Sequence, residues 1–143
     1  MLRAYKIVRV YKKKYLSMFI TNEYALEYKI GEWTEPKIGY IFVFKKLKPA
    51  SDFLRNVGRP KKGHFVIFEA EVKTLWGRFG DASISSCLTG YAIHEFWCMQ
   101  DPKFCGNLKI RDYERVHRNI TARPFNSYYT NKIKLVRRVD PVI

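Results

Sequence analysis

Acidic side chains are scarce in this chain: 13 Asp and Glu stand against 27 Lys and Arg. That leaves few carboxylate pairs from which an acid–base site could be drawn. Long apolar runs are missing as well. No stretch of 18 apolar residues occurs, so no membrane-spanning helix is expected. Arg3, Lys6 and Arg9 interrupt the N-terminal apolar residues that a secretory signal would keep continuous. Cysteine is sparse. Cys87, Cys98 and Cys105 are odd in number and too few for a disulfide scaffold, which points to a reducing, intracellular setting. No Walker A, Gly-x-Gly-x-x-Gly or His-Glu-x-x-His signature is present. Ser85-Ser86-Cys87 lacks the glycine frame of a nucleophile elbow. Internal repeats and low-complexity segments are absent.

What remains is a basic, aromatic chain with enough apolar material for a core. At 143 residues, 47% hydrophobic and 16% aromatic, it reads as one folded domain spanning 1–143. The net charge of +14 is not a tail. Residues 1–72 carry 15 basic and 7 acidic side chains, and residues 73–143 carry 12 and 6. A field spread in this way attracts polyanions: nucleic acid, an anionic surface or an acidic protein.

The most strongly patterned stretch is 40–72. Tyr40 to Phe44 is an apolar run rich in β-branched and aromatic residues, which predicts a strand buried on both faces. Leu47, Ala50, Phe53, Leu54 and Val57 recur at three- and four-residue intervals, which predicts a short helix near Lys48–Arg55. Pro49 suits its first turn and Gly58 the position past its end. In His64–Val72, Val66, Phe68, Ala70 and Val72 share one face, with Phe65 and Ile67 half-filling the other. Around this unit, 4–11 and 15–21 predict an opening hairpin with Lys12-Lys13-Lys14 at its turn. A strand is expected over 25–30, a glycine-bounded connection over 31–39 with Trp33 as an aromatic plug rather than an exposed contact, since a tryptophan buries large area, and a closing strand over 132–139. There Ile133, Leu135 and Val139 face inward, and Lys132, Lys134 and Arg138 outward. A helix is expected over 89–99; 108–117 reads equally as strand or helix.

His94, Cys98, Cys105 and Cys87 are four potential zinc ligands, but the close ligand pair of structural zinc sites is missing. Buried thiols are the plainer account, so no metal and no cofactor is expected. Glu69 and Glu71 lie two residues apart on one face. Two such carboxylates could share a proton, although salt bridges to the abundant Lys and Arg explain them more simply. No catalytic residue is assigned. Basic residues interleaved with aromatics carry the better signal, in Tyr5, Arg9, Tyr11, Lys12 and Tyr15 and again from Arg123 to Tyr129. Such mixtures bind single-stranded nucleic acid by stacking and phosphate contact. The candidate anion-binding residues are Arg9, Lys12, Lys13, Lys14, Arg59, Lys61, Lys62 and Arg123.

Gly58-Arg59-Pro60-Lys61-Lys62 resembles the core of an AT-hook, without the arginine that precedes the glycine; Val57 stands there. Over most of its length the chain resembles a family of small phage and large-DNA-virus proteins to which no activity attaches. The likeness rests on Tyr28–Pro36, Ile41–Phe44 with the following helix, Phe68–Val72, Glu95-Phe96-Trp97 and Ile133–Val139. The family's Pro-Gly-Thr turn before the last strand is here Pro124-Phe125-Asn126. A remoter similarity is to ADP-ribosyltransferase-like folds, with Arg9 as the basic residue of the first strand; no catalytic glutamate motif accompanies it. The expectation is therefore a single α+β domain, a mostly antiparallel twisted sheet with a few short helices. It would be a non-enzymatic viral protein of the host cytoplasm, nucleus or virion, the remoter resemblance implying as the alternative a small ADP-ribosyltransferase-like enzyme. Its partner would be nucleic acid, met through phosphate contacts, or an acidic viral protein stapled within the capsid.

Overall fold

The computed structural model describes residues 1–18, 25–37, 40–76 and 127–142. Its longest strands are β1 (Leu2–Tyr11) and β6 (His64–Val72). They pair antiparallel in unbroken register from Leu2 opposite Val72 to Val10 opposite His64. Each alternates sides, as the two-residue period of a strand requires, and each buries residues on both faces. Ala4 and Val8 join Val66, Phe68, Ala70 and Val72 in the larger core, while Ile7 and Ile67 join a smaller one on the opposite face.

The remaining strands extend this pair. A two-residue turn leads from β1 into β2 (Lys14–Leu16), which pairs with β3 (Glu27–Tyr28). The returning strand thus stops at Leu16, short of Thr21, because Ser17 turns its hydroxyl to accept the Leu26 backbone N–H at 2.8 Å. The strand expected over 25–30 shrinks to Glu27–Tyr28, and Ile30 is exposed. On the other side β6 pairs with β8 (Ile133–Val139), which pairs with β4 (Trp33–Thr34). The connection 31–39 therefore contains a sheet strand. β5 (Ile41–Phe44) meets β1 through the single pair Tyr5–Phe44 and is itself paired with β7 (Ser127–Thr130). Every pairing is antiparallel.

This connectivity bends the sheet. In a flat sheet the order β7, β5, β1, β6, β8 would hold β7 and β8 four strand spacings, about 19 Å, apart. Yet Thr130 and Ile133 are three peptide steps apart in sequence, which span at most about 11 Å. The sheet must curl between them, and the lone Tyr5–Phe44 pair is where β5 peels away from β1. The concave side holds the larger core. β7 and β8 do not pair with each other, so the sheet curls without closing.

The smaller core lies on the convex side, beneath α1 (Leu47–Val57). Ala50, Leu47, Phe53 and Leu54 pack against Ile7, Phe44, Ile67, Tyr5 and Phe65. The helix ends at Gly58, whose φ of 76° suits a residue without Cβ. Among the described residues α1 is the one helix, and no helix there is long and apolar enough to cross a membrane. The helix expected over 89–99 and the strand or helix over 108–117 lie outside the described residues.

Candidate nucleic-acid interface

The basic residues picked out from the sequence sit on two turns far apart in the chain, and the fold brings those turns together. Because Val10 pairs with His64, the β1–β2 turn lies beside the loop that leads into β6. Gly63 sets how closely. With φ at 81°, it leaves no room for a side chain: a Cβ there would stand 2.0 Å from the Val10 carbonyl oxygen. Around Tyr11 at this end, the Arg9 guanidinium and the Lys12 and Lys62 ammonium groups stand 5.8, 5.3 and 6.0 Å from the ring centroid. Lys13, Lys14, Arg59 and Lys61 are exposed on the same two turns. Arg123 lies outside the described residues.

These cations are poorly neutralised. Lys14 meets Glu27 at 3.6 Å, an exposed pair of little energetic weight. Among the described residues no carboxylate pairs with Arg9, Lys12, Lys13, Arg59, Lys61 or Lys62. Arg9 donates to the Lys62 carbonyl at 3.3 Å, and its buried Nε has no hydrogen-bond partner there.

The turn itself is strained. Lys12 and Lys13 have φ of 50° and 63°, the left-handed pair that a two-residue hairpin turn needs and that Asn-Gly normally supplies. A side chain with Cβ costs about 1 kcal/mol or more in that conformation. Two adjacent lysines thus sit where sterics favour other residues, and strain of this kind concentrates at functional positions.

A second cluster surrounds Trp33 on β4. The Lys73, Lys134 and Lys132 ammonium groups stand 5.1, 5.1 and 5.9 Å from its ring. Trp33 is half-buried, so it is an edge residue banked by lysine stems rather than a sealed plug. Here the charges are answered: Lys132 meets Glu35 at 3.4 Å and Lys134 meets Glu71 at 3.2 Å.

Glu69 and Glu71 do not form a carboxylate dyad. Glu69 accepts from Arg3 Nε at 2.7 Å and from Arg137 Nε at 2.6 Å, while Glu71 faces Lys134. In the concave core lies a group the sequence did not single out, Lys6. Its ammonium donates to the Phe42 carbonyl at 2.9 Å and lies 5.9 Å from the Tyr28 ring. Burial lowers it to about 8. The same burial holds the Tyr28 phenol well above its ordinary range, against a smaller opposing effect of its hydrogen bond with Ser17. The alternation of β1, which puts Lys6 between inward-facing Ala4 and Val8, was the signal available.

Among the described residues no group of three or more His, Cys, Asp or Glu is placed to hold a metal ion; His94, Cys87, Cys98 and Cys105 lie outside them. Searches against family models, curated proteins and solved structures return no match for this chain.

Proposed function

We propose that this protein binds nucleic acid without catalysing a reaction, through the Tyr11 end of the sheet. One observation carries the reading. Two basic turns about 50 residues apart in sequence converge on one aromatic ring, where almost no carboxylate of the described residues neutralises them. Concentrated unpaired cations are costly in self-repulsion, and binding a phosphate backbone offsets that cost, because the protein's cations release the counterions condensed on the nucleic acid. The aromatic ring adds a stacking surface that tolerates any base. The turn's strain supports the same reading: Lys12 and Lys13 occupy positions that stability alone would give to other residues. No element of the described structure presents a helix to a major groove with base-reading side chains, so sequence preference is slight.

A salt titration with oligonucleotides tests this. Changing Lys12, Lys13 and Lys62 to Ser should weaken binding at low salt by about 100-fold and lower the slope of log K against log salt by about 2. Thermal stability should not fall. In a second arm, Lys12→Asn with Lys13→Gly should raise stability by about 1–2 kcal/mol while weakening binding. Undetectable oligonucleotide binding at low salt, or a salt slope indifferent to these lysines, would overturn the reading. Tight capture of an acidic protein instead would make the surface a protein-stapling one.

A further inference from the structure

We propose that the Trp33 cluster is a second contact for the same nucleic acid, and that the bound species is a single strand running from Tyr11 to Trp33 along the helix-bearing face. This rests on the nucleic-acid reading above and adds to it the strand type and the length of the site.

Register places both rings on one face. Tyr11 shares the side of β1 that carries Tyr5 and Ile7, the residues beneath α1. Glu71 is on the same side of β6 as Ile67, and it reaches Lys134, which is the cross-strand neighbour of Trp33. Neighbours directly opposite in an antiparallel pair point to one face. Tyr11 is level with Gly63 and Trp33 with Glu71, eight residues on and three strands across. That separation is about 30 Å. The helix stands between them over Ile7 and Ile67, so a bound strand passes round it and needs more than that span.

Between the rings lies a prepared pair of phosphate donors. Arg3 and Arg137 flank Glu69 from β1 and β8, and each spends its Nε–H on that carboxylate. Glu69 is 8% exposed, whereas both arginine side chains are 69% exposed. The buried acid therefore fixes two largely exposed guanidinium groups by their Nε atoms and leaves their terminal nitrogens uncommitted to that carboxylate, a low-entropy arrangement for phosphate. At Trp33 the lysines are mostly neutralised by Glu35 and Glu71, so this end contributes the indole surface more than charge. Base stacking requires unpaired bases, which is why a single strand fits and a duplex does not.

Fluorescence anisotropy with oligothymidylates of 6 and 20 nucleotides tests this on the whole chain. The longer strand should bind about tenfold tighter than the shorter, and Trp33→Ala should remove that gain while leaving the short strand's affinity unchanged. Trp33→Phe should keep most of it, because an aromatic face remains. Arg3→Gln with Arg137→Gln should shrink the gain and lower the salt slope for the long strand only. Should Trp33→Ala fail to fold, Trp33→Phe compared with Trp33→Leu provides the same contrast. A short strand that binds through Lys12, Lys13 and Lys62, with no gain on lengthening, overturns this proposal and leaves the Tyr11 reading standing. A duplex of equal length binding as tightly as the 20-mer, with indifference to Trp33→Ala, also overturns it. No binding of either strand removes both readings together.

Discussion

Tyr11 and Trp33 are each ringed by three cations, yet among the described residues the cations at Trp33 are mostly neutralised and those at Tyr11 are not. Around Trp33, two of the three lysines have glutamate partners at 3.2 and 3.4 Å. Around Tyr11, none of the three has a carboxylate partner among the described residues. Cations gathered on an aromatic ring are therefore not enough to identify an anion site. The count of nearby carboxylates separates a ring whose cations are mostly neutralised from one whose charge is unspent.

The two ends share one strand, and cutting their common support should produce the largest effect. Phe68 lies near the middle of β6, is 1% exposed and meets Tyr15 edge-on at 5.0 Å. Phe68→Ala should cost about 3–5 kcal/mol in urea denaturation, and the oligonucleotide contacts of both ends should weaken together. A loss below about 1 kcal/mol would mean that β6 does not tie the ends into one cooperative unit.

Lys6 sharpens the contrast from the middle: it is a half-buried cation with no carboxylate partner among the described residues. Its folded-state value of about 8 lies below the ordinary 10.5. From pH 8 to about 10 the unfolded chain binds more protons than the folded one, so stability should rise with pH across that window. Above about 10 the gain should reverse, because Tyr28 ionises when unfolded but is held protonated when folded. Lys6→Met should flatten the rise and stabilise the protein at pH 7 by about 2–3 kcal/mol. Denaturation midpoints at pH 7 and 9.5 check this, and a wild-type protein that loses stability between them would refute the buried-amine account.

The smallest effect comes from making one end resemble the other. Glu35→Gln frees Lys132 at the Trp33 end. Stability should change by less than about 0.5 kcal/mol, since the pair is exposed. Affinity for the 20-nucleotide strand should rise about twofold, with a steeper salt dependence. A fall in affinity would show that the glutamate contributes to the contact rather than masking it.

Much of this was legible in the sequence where the pattern is local. The strand over 41–44, the helix through Val57 and the strand 64–72 follow from apolar periods of 2 and 3.6 and from Gly58. The closing strand follows from Ile133 and Leu135. Two strands were missed, for different reasons. Trp33-Thr34 is too short to show a period, and its partner Lys134 lies about 100 residues away. Ser127–Thr130 is polar enough to read as an aromatic–basic stretch, and its place is set by pairing with β5. The candidate lysines were individually visible, but their meeting was not, because it depends on the β1–β6 register and on Gly63. Lys6 was hidden for a related reason. Beside Arg3 and Arg9 it looks like one more surface cation, and only the curl of the sheet encloses it.

The short link through Asn131 and Lys132 also orders the events of synthesis. One edge of β6 is covered by β8, and the outer edge of β5 by β7, and both covers follow β6 by more than 50 residues in sequence. A nascent chain that has made β1, β5, α1 and β6 can form their mutual contacts early. Until β7 and β8 emerge, more than 50 residues after β6, those two edges lack these partners. Such edges are templates for pairing with other chains, and contacts so distant in sequence form slowly. The half of the molecule best specified by its own sequence is thus the half that waits longest to be protected.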